Sequence, residues 1–161
     1  DLVCCGKGIS SSLPLSAVLG RAELLNLDSS LNSTHGGNPI CCAATLASLE
    51  VLEEEDLVKE ANRKGSILET ELKKIQTKYS DIIERISGKG LVYAIHLRDL
   101  KTKKLDIELG DLVIEKSMQK GVILVRTGSG TIKIGPPLTI PDDALLEGIK
   151  VIDDAIKESR K

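Results

Sequence analysis

The sequence predicts an α/β fold: helices packed on a small sheet from about Asp56 onward. Three observations predict it. Leu57, Ala61, Leu68, Leu72 and Ile75 recur at helical spacing, with Lys and Glu between them. Further on, Leu91, Tyr93, Ile95 and Leu97 alternate with Val92, Ala94 and His96, the period of a strand with two distinct faces. Near the end, Leu145, Ile149, Ile152 and Ile156 form a second helical stripe after Asp142.

The elements follow in order. Leu2 to Cys5 is a short apolar run that reads as a buried strand. Gly6-Lys7-Gly8 and Ser10 to Ser12 are turn formers, so Lys7 is expected where a strand meets a loop. Ser16 to Leu25 reads as strand followed by helix or loop, and Asp28 to Asn38 as a polar loop. Asn38-Pro39 then starts a helix, because Asn caps well and Pro is favoured at the first helical position. Ala43, Ala44 and Ala47 in that helix suggest close packing against neighbours. Glu53 to Asp56 reads as a solvated helix junction rather than a cation site, with acids favoured at a helix start. After the helix from Leu57, Ser80 to Ile86 reads as a short helical piece. Gly88-Lys89-Gly90 turns the chain into the strand Leu91 to Leu97. Arg98 to Lys104 is a charged connection. Ile107 to Lys120 is a helix ended by Gly121. Val122 to Val125 and Thr131 to Ile134 read as strands about a turn at Thr127 to Gly130, and Pro136-Pro137 stops the second. The part before Asp56 holds too few strands to stand alone and reads as the tail of a larger sheet domain.

Composition narrows the function classes. The 161 residues carry a net charge of -2, which argues against a nucleic-acid-binding face. No apolar run is long enough to cross a membrane as a helix, and the first residues lack the pattern of a signal peptide. Phe and Trp are absent, so the core is expected to be aliphatic. Cys4-Cys5 and Cys41-Cys42 are adjacent pairs, which do not match zinc spacing, and no metal site is expected. They read as small buried thiols in a reducing cytosol, which places the protein in the cytoplasm. His96 has no paired ligand in sequence and reads as a surface or satisfied histidine.

The residues with chemical potential start with Lys7. A lysine between glycines at a strand end is either a surface residue in a turn or an amine held out of water and able to form a Schiff base. The glycine spacing before Lys7 is wrong for a nucleotide phosphate loop. The Thr34-His35-Gly36-Gly37-Asn38-Pro39 stretch runs into a helix start. It is either an ordinary cap or a set of amide donors for an anion.

Three segments in order resemble one family. Cys5-Gly6-Lys7-Gly8-Ile9 with Leu13 to Val18 resembles the segment around the cofactor lysine of class-III aminotransferases, which use pyridoxal phosphate. Ser33 to Ala44 and Ile132 to Ile140 resemble two further segments of the same family. The resemblance implies a fold-type-I pyridoxal-phosphate-dependent transferase. Residues 1–55 would be the tail of its large cofactor-binding domain, including the inter-domain helix, and 56–161 its small C-terminal α/β domain. It implies that Lys7 forms the imine with the cofactor and carries the proton at the substrate. Thr34 would bind the cofactor phosphate of the neighbouring subunit, so a homodimer or higher homo-oligomer is implied. Lys133 stands where many members have an arginine for the substrate carboxylate. It keeps the charge but not the two-pronged donor, and Arg126 is the nearby substitute. Ser12 stands where glycine is common and should stiffen the loop. His35 is given no role. The acid that pairs with the pyridine nitrogen and the ring-stacking residues are expected upstream of Asp1, so this chain alone should hold an incomplete site. The implied activity moves an amino group between an amino acid or ω-amino acid and a 2-oxo acid. A racemase or decarboxylase of the same family, or a non-catalytic module that keeps the fold, remains open.

Overall fold

A computed structural model describes residues 1–27, 30, 33–99, 101–127 and 131–160. The chain divides into two compact units, Asp1–Leu57 and Val58–Lys161.

In the first unit, β1 (Leu2–Cys5) pairs antiparallel with β2 (Ala17–Gly20), Leu2 opposite Gly20 and Cys5 opposite Ala17. A 3-10 turn, Lys7–Ser10, follows β1, and a single helical turn, α1 (Ala22–Leu25), follows β2. The helix α2 (Pro39–Glu54) starts as its sequence dictates: Asn38 Oδ1 accepts the Ile40 amide at 2.9 Å and Pro39 takes the first helical position. Its buried positions are Cys41 and Thr45, whereas Ala43 and Ala47 are exposed. Its Ser48 hydroxyl lies 2.9 Å from that of Ser11, tying the end of the 3-10 turn to the helix. Asp56 adopts φ 47 at the junction before α3 (Leu57–Lys78).

Two sequence expectations fail in this unit. The strand at Leu2 to Cys5 forms but is not buried: Leu2 is 50% and Val3 59% exposed. Among the described residues β1 has one partner strand and no layer over its apolar side chains, and an apolar run is buried only where something covers it. For the same reason Cys4 is exposed and Cys5 half-buried; only Cys41 is fully buried, and all four thiols are free.

The second unit is a two-layer α/β sandwich. Its antiparallel sheet has the order β3-β4-β6-β5, from β3 (Ile83–Lys89), β4 (Val92–Leu97), β5 (Val125–Arg126) and β6 (Ile132–Ile134). The helices are α3, α4 (Ile107–Gln119) and α5 (Asp142–Ser159). Tyr93, Ile95, Leu97, Ile132 and Ile134 point one way into a single core. There they meet Leu68, Leu72 and Ile75 of α3, Val113 of α4, and Leu145, Ile149, Ile152 and Ile156 of α5. Val92, Lys133 and Val125 on the other sheet face are exposed, the pattern of an antiparallel sheet covered on one side. Aliphatic side chains fill the core as expected, joined by Tyr79 and Tyr93. Helix α3 lies so close to the β3–β4 turn that a Cβ on Gly65 would stand 2.5 Å from the Gly90 carbonyl oxygen.

Three boundaries differ from the sequence reading. Ser80 to Ile86 is not helical; from Ile83 it is β3. Ile83 and Ile86 sit three residues apart, the spacing of one helix face. A bulge between Ile83 and Arg85 puts both on the core side, opposite Leu97 and Ile95. Gly88 and Lys89 belong to β3, so the turn is Gly90-Leu91 and β4 starts at Val92. The strand expected at Val122 to Val125 is only Val125–Arg126, because the amides of Gly121 and Val122 are spent capping α4 on Met118 and Ser117. The turn expected at Thr127 to Gly130 falls largely outside the described residues, as does part of the loop expected at Asp28 to Asn38.

Candidate active site

Lys7 stands at the first position of the 3-10 turn after β1, exposed, with φ 50. It is not held out of water, because its flanking residues are glycines and, among the described residues, no side chain covers it. Gly6 is extended, and a Cβ on either Gly6 or Gly8 would meet nothing within 4 Å. The lysine is thus bracketed by open space. The turn itself is firm: the Ile9 amide donates to the Gly6 carbonyl at 3.3 Å, and the buried Ser10 hydroxyl donates to the Leu13 carbonyl.

Thr34 begins an exposed turn ending at Gly37, which adopts φ 65. The Gly36 amide closes the turn on the Ser33 carbonyl at 3.0 Å. The turn delivers the chain to Asn38 and the start of α2, so Thr34 lies a few residues ahead of a helix N-terminus. His35 is exposed beside it.

Lys133 and Arg126 lie in the second unit. Lys133 is the central residue of β6, between Ala94 and Val125, on the exposed sheet face. Arg126 pairs with Ile132, whose side chain enters the core, so the register puts Arg126 and Lys133 on opposite faces. Arg126 Nε donates to Asp111 Oδ1 of α4 at 2.5 Å. The two cations therefore do not converge. Among the described residues no hydrogen bond or ion pair joins Lys7 to Thr34 in the first unit, or Lys133 to Arg126 in the second.

His96 shares the face of Lys133 and is satisfied, as expected: Nε2 lies 3.0 Å from the Ser87 hydroxyl and Nδ1 3.3 Å from that of Thr131. Burial, with the nearby Arg85 charge, lowers its pKa from the ordinary imidazole value. Sequence reasoning missed Lys64. It is only 7% exposed, and its ammonium donates to the Leu138 carbonyl at 3.1 Å with Glu60 at 3.9 Å. It fastens the segment leaving β6, and hence the strand that carries Lys133, to α3. Its signal was available: position 64 falls between Ala61 and Leu68 on the apolar stripe of α3.

Known proteins with this arrangement are found by sequence and by fold. The family model described as aminotransferase class-III matches residues 1–156. A 4-aminobutyrate aminotransferase of Mycobacterium leprae is 37% identical over 156 residues, covering 94% of this chain and 35% of that protein. An isoleucine 2-epimerase of Lentilactobacillus buchneri is 35% identical over 158 residues, 96% of this chain and 35% of that protein. A solved Bacillus anthracis aminotransferase superposes with a TM-score of 0.88 at 29% identity, over 98% of this chain and 39% of that one. The chain thus spans about a third of the length of the curated relatives it matches. Its α/β architecture is that of a fold-type-I transferase fragment, and the match runs through both units from the glycine-flanked lysine to α5. The chain belongs to the class-III aminotransferase family.

Proposed function

We propose that this chain is the part of a pyridoxal-phosphate-dependent aminotransferase that bears the cofactor lysine, Lys7. Residues 1–55 belong to its large domain and 56–161 are its small domain. The observation that carries the reading is the exposed Lys7, set in a firm turn with open space beside both flanking glycines, in a chain of this family. The donor set suits the cofactor: a primary amine for an aldehyde, and the Thr34 hydroxyl with the amides before α2 for a phosphate. When bound, pyridoxal phosphate supplies the electron sink that makes a proton labile on the substrate carbon bearing the amino group. Lys7 Nζ would hold the cofactor through its aldehyde, and its amine would take and return that proton as a general base. Thr34 serves the phosphate across a homodimer interface. Lys133 offers a point charge to a substrate carboxylate from the open sheet face, without the paired geometry of a guanidinium. Arg126 is the weaker candidate for that role, since a substrate would have to displace Asp111.

The reaction proposed is amino transfer between an amino acid or ω-amino acid and a 2-oxo acid. It accords with the relative named for 4-aminobutyrate. The relative named as an isoleucine epimerase supports racemisation as a second reading. Both use the same proton transfer at Lys7. The test is turnover of the full-length protein carrying Lys7→Ala, assayed with amino donor plus 2-oxo acid and, separately, for loss of optical rotation with one enantiomer alone. Loss of about 10²–10⁴-fold or more in one assay is expected. Undiminished rates in both would reject the assignment.

A further inference from the structure

We infer that the Val58–Lys161 unit holds a second ligand site, a cleft built around Arg98 that binds a small organic monocarboxylate. The inference does not depend on the assignment of Lys7. The cleft, of about 540 Å³, lies where the end of β4 meets the start of α4 and the end of α5. That volume suits a small molecule.

The charges in the cleft leave one cation without an acceptor. Asp81 accepts from Arg160. Asp99 Oδ1 accepts the Lys101 amide at 3.0 Å and also that of Thr102, which together hold its carboxyl below the usual range. Asp106 Oδ1 accepts the Leu109 amide at 2.9 Å as the cap of α4. Arg98 has no such match. Its Nε is buried without a hydrogen-bond partner, and among the described residues its guanidinium makes no ion pair. Its backbone is nevertheless fixed, because the Arg98 amide donates to the Ile82 carbonyl at 2.7 Å and the residue bridges Leu105. Nε alone is shut away from water, which is costly; the residue as a whole is half-buried and lines the cleft, so a ligand meets its terminal nitrogens. A carboxylate entering the cleft supplies two acceptors matched to the guanidinium fork.

The rest of the lining defines the ligand. Ile82, Leu109 and Leu112 give an apolar floor, so the body of the ligand is a short hydrocarbon. Four acids line the cleft against three bases, and Glu108 makes no ion pair among the described residues. That excess of acid opposes a doubly charged phosphate more than a singly charged carboxylate.

The test titrates butyrate, its uncharged isostere butyramide, and inorganic phosphate into the full-length enzyme by calorimetry. Saturable butyrate binding is expected, with little binding of butyramide and weaker binding of phosphate. Arg98→Gln should weaken butyrate by about tenfold to a hundredfold. Lys133→Gln should leave it unchanged. Glu108 is exposed, so Glu108→Gln keeps the fold, and it should tighten butyrate by about two- to fivefold by removing a like charge. Several results would overturn the inference: no saturable binding, butyramide or phosphate binding as tightly as butyrate, retention of butyrate by Arg98→Gln, its loss with Lys133→Gln, or no tightening by Glu108→Gln.

Discussion

Lys7 holds a left-handed backbone conformation, φ 50, which glycine adopts freely and other residues rarely. The strain sits at the one side chain that the proposed chemistry cannot do without, and such outliers gather at functional sites. The expected consequence is a separation of stability from activity. In the cofactor-free full-length protein, Lys7→Gly should be more stable than Lys7→Ala by about 1 kcal/mol in denaturant unfolding, and both should be inactive. Equal stability of the two variants would remove the strain argument. At this scale sequence reading succeeded where a residue sits in a motif and failed where its meaning depends on what folds over it. The turn position of Lys7 was legible from its glycines, and of the two readings open there the exposed one is found. Lys64 could be read from the stripe it interrupts. Nothing in the order of residues marked Arg98, since its lack of an acceptor arises only when Ile82, α4 and the end of α5 close around it.

The long helices were the most legible elements, because α3 and α5 each present one apolar stripe to one core. Short strands were not. The bulge in β3 imitates a helical period, and the cap of α4 consumes amides that a strand at Val122 would have used. Arg63 shows how the helices are joined. It donates from both terminal nitrogens to Asp142 at the start of α5, at 2.7 and 2.6 Å, and from Nε to Glu60 at 3.1 Å. These bonds hold both carboxyls below their ordinary pKa values. A carboxyl depressed in the folded state contributes stability that is present above its unfolded pKa and lost as pH falls through the folded one. The second unit should therefore lose stability progressively below about pH 4. Arg63→Gln should flatten that acid limb of a melting-temperature profile by lowering the neutral plateau toward the acid one, a small drop because the groups are exposed. An unaltered acid limb would show that the pair does not couple α3 to α5 in solution.

Across the whole chain, the two units differ in how completely they bury their apolar residues. The second encloses one core, whereas the first exposes Leu2, Val3, Val18 and Leu19 on its ribbon and Ile40, Leu46 and Leu49 on α2. Exposed apolar surface of this kind accords with a role inside a larger assembly. If Thr34 serves the cofactor phosphate of a partner subunit, mixed dimers of the full-length enzyme settle it. Thr34→Val homodimers should retain the cofactor more weakly by about 1.5–3 kcal/mol, the range for a hydrogen bond to a charged group. Dimers of one Lys7→Ala and one Thr34→Val subunit should gather both lesions at one site and restore retention at the other. Retention as poor as in the Thr34→Val homodimer would place Thr34 within its own subunit's site.

The most direct measurement is chemical fixation of the cofactor. The full-length protein is loaded with pyridoxal phosphate, reduced with borohydride and digested, and the labelled peptide is identified by mass spectrometry. The account predicts a single stoichiometric label on the peptide containing Lys7, absent in Lys7→Ala. A label on any other lysine, or no label in protein that still turns over its substrates, would contradict it.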